Sequence, residues 1–399
     1  MSEGLQRSRA FLDAIEPNDS DSDRYAALGL QANPFPAGGL PPSNPQVEPY
    51  ESVRQAILSF LRDFFQQGHS SGLVLLGEYG AGKTYHLNYV HSLLSQSDIR
   101  FPIRVVQVTD PGLHPYHVIR SILLNLGEET VATMVWSIVG PRLQDAYRDD
   151  PRYFADMVKT AKGSRSYLSN TFGLDIEQLN DTHWSDHRLF FQHLDRHQLV
   201  DRVKLLDKVI PFLMPVVRIA KIAEDLASIC IFDGMPALER WKALTEGIGP
   251  GAIQPGNESH FLLALLRLLQ ASGTEYFVLL LDEFEKVPQI KRLTERDLKL
   301  YLETLRMLID AAHEHMPFAF IIASNQDAWA IATERNAELE HRFTQVPIPS
   351  PIDDSVAEYI IAESLKLARS HAPSDANPLA PFPSNFLELI PPGLRKTTR

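Results

Sequence analysis

Residues 72–84 constrain the fold more than any other stretch of the chain. The apolar run Gly-Leu-Val-Leu-Leu at 72–76 leads into Gly77-Glu78-Tyr79-Gly80-Ala81-Gly82-Lys83-Thr84, and the following KTYHLNYVHSLLSQ has helical spacing. The segment fits GxxxxGK[ST], and a preceding strand and following helix are the context that pattern needs to hold a phosphate chain. Glycines at 77, 80 and 82 let the backbone bend so that successive N–H groups point at phosphate oxygens, where the helix N-terminus adds the positive end of its dipole. Lys83 is the expected cation for the β- and γ-phosphates and the Thr84 hydroxyl the expected Mg²⁺ ligand, with the nucleotide-contacting set running on to Tyr85. A glycine turn carrying a chance lysine is the alternative, and the flanking strand and helix count against it.

A second apolar run, YFVLLLDE at 276–283, ends in Asp282-Glu283. Continuous apolar strands of this kind belong to parallel sheets covered on both faces, and open α/β sheets bind ligands at the carboxyl edge of their strands. Asp282 is expected to hold magnesium through its water shell and Glu283 to polarise the attacking water, a group that an ATPase needs and a small-molecule kinase does not. The alternative is a strand that ends in solvated acids. The run FAFIIASN at 318–325 places Ser324-Asn325 at the same kind of edge; Asn325 either holds that water or the γ-phosphate, or caps the turn that follows the strand.

Other strands and helices fall into an α/β rhythm with one interruption. A strand is expected at 103–108 and helices at 50–67, 117–126, 261–270 and 298–315. Between about 128 and 255 the patterns are helical with no clear strand. The domain reading is an N-terminal arm and proline-rich strap at 1–49, core at 50–127, helical insertion at 128–255, core again at 256–350 and a small helical lid at 351–399. Six prolines between Asn33 and Pro49 make that segment an extended strap.

Composition excludes several classes. The net charge is −12, with 38 Lys+Arg against 50 Asp+Glu, so the molecule does not coat nucleic acid by bulk charge, and any DNA contact must be local. The single cysteine, Cys230, rules out an internal disulfide framework and fits a reducing cytoplasm. The start MSEGLQRSRAFLDAIEPND is mixed in charge, without the apolar stretch of a secretory signal. The apolar region 209–232 is broken by Pro211, Pro215, Arg218, Lys221, Glu224 and Asp225, so no membrane span is expected.

The order of phosphate loop, strand acids, strand-end Asn325 and the later Leu339-Glu340-His341-Arg342-Phe343 resembles the AAA+ ATPases, over roughly Leu28–Leu126 and Phe261 to the C-terminus. The resemblance implies a three-layer P-loop α/β core with a parallel sheet and a small helical lid, and ATP and Mg²⁺ as cofactors. It also implies a homo-oligomer in which Arg342 reaches the γ-phosphate of the next subunit; a surface ion pair is the other reading of Arg342. Gly393-Leu394-Arg395 is similar to the lid signature that contacts nucleotide, which puts Arg395 in the binding set, although few residues follow it.

The strap GLQANPFP resembles the segment that wraps adenine in the replication-initiator branch and in ATPases that regulate DNA transposition. The insertion ending in ERWKALTEG, ahead of DEFEKV, resembles ATP-binding proteins of BREX-type phage-defence islands. These similarities imply an oligomeric switch or loader in DNA transactions, with protein partners from a defence or transposition system. An ATP-dependent assembly scaffold with little or no hydrolysis is the second reading.

His183, His187, His193 and His197 include two i, i+4 pairs, but Trp184, Phe190, Phe191 and Leu194 interleave with them, which favours packing over a metal site.

Overall fold

The computed structural model describes residues 29–31, 50–95, 102–150, 179–195, 201–247, 258–289, 293–313, 316–349, 354–369, 377–380, 382–383 and 388. In chain order the elements are α1 (Glu51–Gln67), β1 (Ser71–Leu76), α2 (Lys83–Leu94), β2 (Ile103–Val108), α3 (Pro115–Leu126), α4 (Glu128–Asp149), α5 (Asp181–Ser185), α6 (His187–Leu194), α7 (Arg202–Val217), α8 (Ala220–Ile231), α9 (Gly234–Thr245) and α10 (Glu258–Ala271). They continue with β3 (Tyr276–Leu281), α11 (Lys286–Gln289), α12 (Glu295–His313), β4 (Phe318–Ser324), α13 (Gln326–Arg335), α14 (Ala337–Arg342), β5 (Phe343–Pro347) and α15 (Asp354–Ala368). The chain divides into two compact units, one of residues 1–59, 76–93 and 346–399, the other of residues 60–75 and 94–345.

The second unit is built on an α/β sheet of five parallel strands in the order β2-β3-β4-β1-β5. Register runs Ile103 against Tyr276 through Val108 against Leu281, and Phe277 against Phe318 through Leu281 against Ile322. Every residue of β4 is buried, and β3 is buried from Phe277 onward, as expected of central strands covered on both faces. The outer strands β2 and β5 mix buried with exposed or half-buried positions. Aromatic rings tie the sheet to its surroundings: Phe277 stacks on Phe318, Phe320 meets Phe343, and Trp329 of α13 lies edge-on to Phe343. Such pairs add about 0.5–1.5 kcal/mol each beyond the area they bury.

Between β2 and β3 the described residues are helical, from α3 to α10. Trp136, Trp184, Phe190 and Phe191 make one buried aromatic cluster, with the Trp136 Nε1–H donating to the Trp184 carbonyl at 2.9 Å. Gly140 makes room for it, since a Cβ there would lie 2.3 Å from the Trp184 oxygen. Arg202 joins three helices: its guanidinium lies 4.3 Å over the Phe191 ring, pairs with Asp195 and donates to the Ile231 carbonyl. Among the described residues no single helix is long and apolar enough to cross a membrane.

Of the four histidines at 183, 187, 193 and 197, three lie among the described residues. His183 is paired through Nδ1 with Asn180 in a helix cap, and His193 is buried with its ring against His183. His187 sits 4.0 Å from Glu129, and His197 lies outside the described residues. No group of three or more His, Cys, Asp or Glu side chains suited to a metal ion occurs among the described residues. Cys230 is fully buried, and burial pushes its thiol well above the usual range.

In the first unit, Leu30 is buried and bridges to Arg369, while the Gln31 amide donates to the Ala368 carbonyl at 2.7 Å, so this short piece of the N-terminal segment lies along the end of α15. Tyr50 is buried 6.0 Å from the ring of His86 on α2. The Ile348 amide donates to Leu76 at 2.7 Å, fixing the segment after β5 beside the end of β1.

Candidate functional site

The phosphate-loop residues belong to the first unit. β1 ends at Leu76 and α2 begins at Lys83, so the segment Gly77–Gly82 is an irregular loop between a buried strand and a helix start. Gly80 and Gly82 take φ of 84° and 85°, left-handed values that side chains with a Cβ rarely adopt. The Ala81 amide donates to Glu78 at 3.1 Å, and Ala81 itself is buried. The Lys83 ammonium folds into the loop, donating to the Gly77 carbonyl at 3.1 Å and the Glu78 carbonyl at 3.4 Å. Thr84 and Tyr85 follow in the first turn of α2, both half-buried, while Glu78 is exposed and Tyr79 is 74% exposed at the loop tip.

The acid pair belongs to the second unit. Asp282 is 3% exposed, and its amide donates to the Val108 carbonyl at 2.8 Å, extending the β2–β3 pairing by one step. The Glu283 amide donates to Asp282 Oδ1 at 2.8 Å. Glu283 has φ of 52°, a left-handed conformation unusual for a residue with a side chain. The bond from the Phe284 amide to Ala323 at 3.2 Å and the burial of Phe284 against Trp329 hold that turn in place.

Asn325 follows β4 at the same sheet edge. Its side-chain oxygen caps α13, accepting from the Ala328 amide at 2.7 Å, and also accepts from Gln289 Nε2 at 3.3 Å. The turn-capping alternative is therefore met at Asn325. Arg342 ends α14, is 49% exposed and pairs with Asp310 of α12 at 2.9 Å. Asp310 also faces Arg306, which pairs with Glu338. The structure thus brings Asp282, Glu283 and Asn325 to one edge of one sheet and ties Arg342 to its own chain by an ion pair. Arg395 lies outside the described residues.

Two residues of this edge were not singled out from the sequence. Lys286, three residues after Glu283, pairs with its carboxylate, and that hydrogen bond, helped by Asp110 and Glu285, raises the Lys286 ammonium above its ordinary value. The signal was the Glu-x-x-Lys spacing inside DEFEKV. After β2, His117 Nδ1 accepts from the Leu113 and His114 amides at 3.1 and 3.3 Å, which requires that nitrogen to be unprotonated. Burial, with His114 and Arg120 nearby, lowers the His117 pKa accordingly.

Thr84 and Asp282 are hard oxygen donors of the kind magnesium takes, and magnesium in nucleotide sites uses one or two protein oxygens alongside phosphates and water. The donor types therefore fit Mg²⁺. The five-stranded parallel α/β sheet is consistent with a phosphate-loop-like core. No protein family matches the sequence, and no curated protein or solved structure matches it either.

Proposed function

We propose that the chain is an ATP-binding, magnesium-dependent ATPase of the AAA+ type, with a three-layer core, a helical insertion and a small helical lid. The observation that carries this reading is the GxxxxGKT loop between β1 and α2, with Gly80 and Gly82 in left-handed conformations and Lys83 turned inward. A loop of that shape, read with the helix start behind it, is suited to a phosphate chain. In this mechanism Lys83 exchanges its contacts with Gly77 and Glu78 for phosphate oxygens. Thr84 and Asp282 would hold magnesium, and the metal would supply charge neutralisation at the phosphates. Glu283 orients and deprotonates the attacking water, and Asn325 steadies the same edge through its cap.

The working form is a homo-oligomer in which Arg342 leaves Asp310 to reach the nucleotide of a neighbouring copy. The setting is the cytoplasm, as a switch or loader in DNA transactions, in phage defence or transposition control with protein partners of such a system. The role in DNA transactions rests on the resemblance of the strap and the insertion.

ATP turnover by wild type, Lys83→Ala and Glu283→Gln tests the chemistry. Glu283→Gln should lower turnover by about 10²–10⁴, and Lys83→Ala should also lose nucleotide binding. Equal rates in all three proteins would refute hydrolysis. The ion pair between Arg342 and Asp310 favours a second reading, an ATP-dependent scaffold that assembles without turnover. Turnover that climbs with protein concentration and vanishes in Arg342→Ala favours the active ring; ATP-dependent assembly with no phosphate release favours the scaffold.

A further inference from the structure

The segment from Glu283 to Lys286 is a tight turn whose ends are both anchored. The Lys286 amide donates to the Glu283 carbonyl at 3.0 Å, and the Val287 amide donates to Phe284 at 2.9 Å. Phe284 and Val287 are fully buried, so this backbone has little freedom to open. Within the turn the two charged side chains point outward and meet: the Lys286 ammonium pairs with Glu283 Oε2, the side chains being 45% and 46% exposed. Glu283 itself takes a left-handed φ of 52° at the start of this turn.

A water-activating carboxylate needs a lone pair directed at the water. A carboxylate engaged by an ammonium has one oxygen fewer to direct at a water. We propose that Lys286 is a positioning residue that brakes hydrolysis by engaging the Glu283 carboxylate assigned to the attacking water. The inference rests on the role given above to Glu283.

The exposure of both partners decides the strength of the brake. A half-exposed ion pair biases a population by no more than about five-fold, which makes it reversible rather than a lock. Lys286→Met should therefore raise kcat by up to about five-fold and leave KM for ATP unchanged, because Lys286 is not assigned to nucleotide binding. Lys286→Gln should do the same, and Lys286→Arg, which keeps a cation on the turn, should keep the brake. Salt screens exposed pairs, so the ratio of Lys286→Met to wild-type kcat should shrink toward one as ionic strength rises.

The experiment is steady-state phosphate release from MgATP by full-length wild type, the three Lys286 variants and Glu283→Gln at low and high salt. If wild-type turnover depends on Glu283 but Lys286→Met and Lys286→Gln are no faster than wild type at low salt, the brake is overturned and the ATPase reading stands. If Lys286→Arg is as fast as Lys286→Met, charge is not the cause and the brake is likewise overturned. If turnover is absent or indifferent to Glu283, the ATPase reading and the brake fall together.

Discussion

Among the described residues, two that are not glycine take a left-handed backbone: Arg218 in the helical segment, with φ 64°, and Glu283 at the sheet edge, with φ 52°. Arg218 terminates α7, its amide donating to Met214 at 2.8 Å, and a left-handed residue is the ordinary way for a helix to stop. Glycine would serve there equally well. At Glu283 nothing about the end of a strand calls for such a turn; the buried Phe284 and the 283–286 turn impose it. Each conformation costs about 1–2 kcal/mol. In the helical segment that cost ends a helix, and at the sheet edge it goes into the turn that carries the Glu283–Lys286 pair.

Glycine substitutions separate the two cases. Glu283→Gly should cut ATP turnover by about 10²–10⁴, while urea unfolding finds the protein no less stable than wild type within about 1 kcal/mol, strain relief offsetting glycine entropy. A large loss of stability would mean that the turn serves folding rather than chemistry.

The helical segment should instead answer to its packing. Arg202→Ala removes a partly buried cation from Asp195, the Ile231 carbonyl and the Phe191 ring, and should lower unfolding free energy by about 2–3 kcal/mol. Gly140→Ala forces a Cβ against the Trp184 carbonyl and should cost about 1–3 kcal/mol in the same measurement. Arg218→Gly should add up to about 1 kcal/mol of stability without altering turnover, the counterpart of the Glu283 result. An Arg218→Gly protein that lost activity would erase the distinction between the two regions.

The smallest expected effect is on pH dependence. Burial lowers the pKa values of His91, His117 and His187 from the ordinary 6.5. Below that value the unfolded chain binds protons that the folded one does not, so unfolding free energy should fall as pH drops below about 6.5 toward the lowered values. His117→Gln should flatten the decline seen in denaturant titrations between pH 8 and pH 5.5. An unchanged slope would mean that the Nδ1 contacts to Leu113 and His114 do not hold His117 neutral.

β1, β3 and β4 were legible because each is a continuous apolar run, at 72–76, within 276–283 and at 318–325, and β2 at 103–108 because β-branched residues dominate it despite Arg104 and Gln107. Helices expected at 261–270 and 298–315 match α10 and α12 to within a turn. β5 was not anticipated, since Phe-Thr-Gln-Val-Pro buries only Phe343 and Val346 and carries too little apolar pattern to stand out. Strand order was illegible for another reason: which strands become neighbours depends on contacts between distant segments. The acid pair stood out because carboxylates rarely end a buried run. Lys286, Gln289 and Asp310 did not, because an isolated polar residue on a helix reads as solvated surface until its partner is known.

The sheet order carries a consequence for how the chain assembles. Phe277 pairs with Phe318, 41 residues further on, whereas Ile103 pairs with Tyr276 across 173 residues. Joining β2 to β3 as an open coil would cost about 1.3 kcal/mol more in chain entropy than joining β3 to β4. Collapse of the helices from α3 to α10 before the strand docks would shorten that span. The pair formed by β3 and β4 is thus the natural nucleus, and β2, at the rim, is the strand that arrives late.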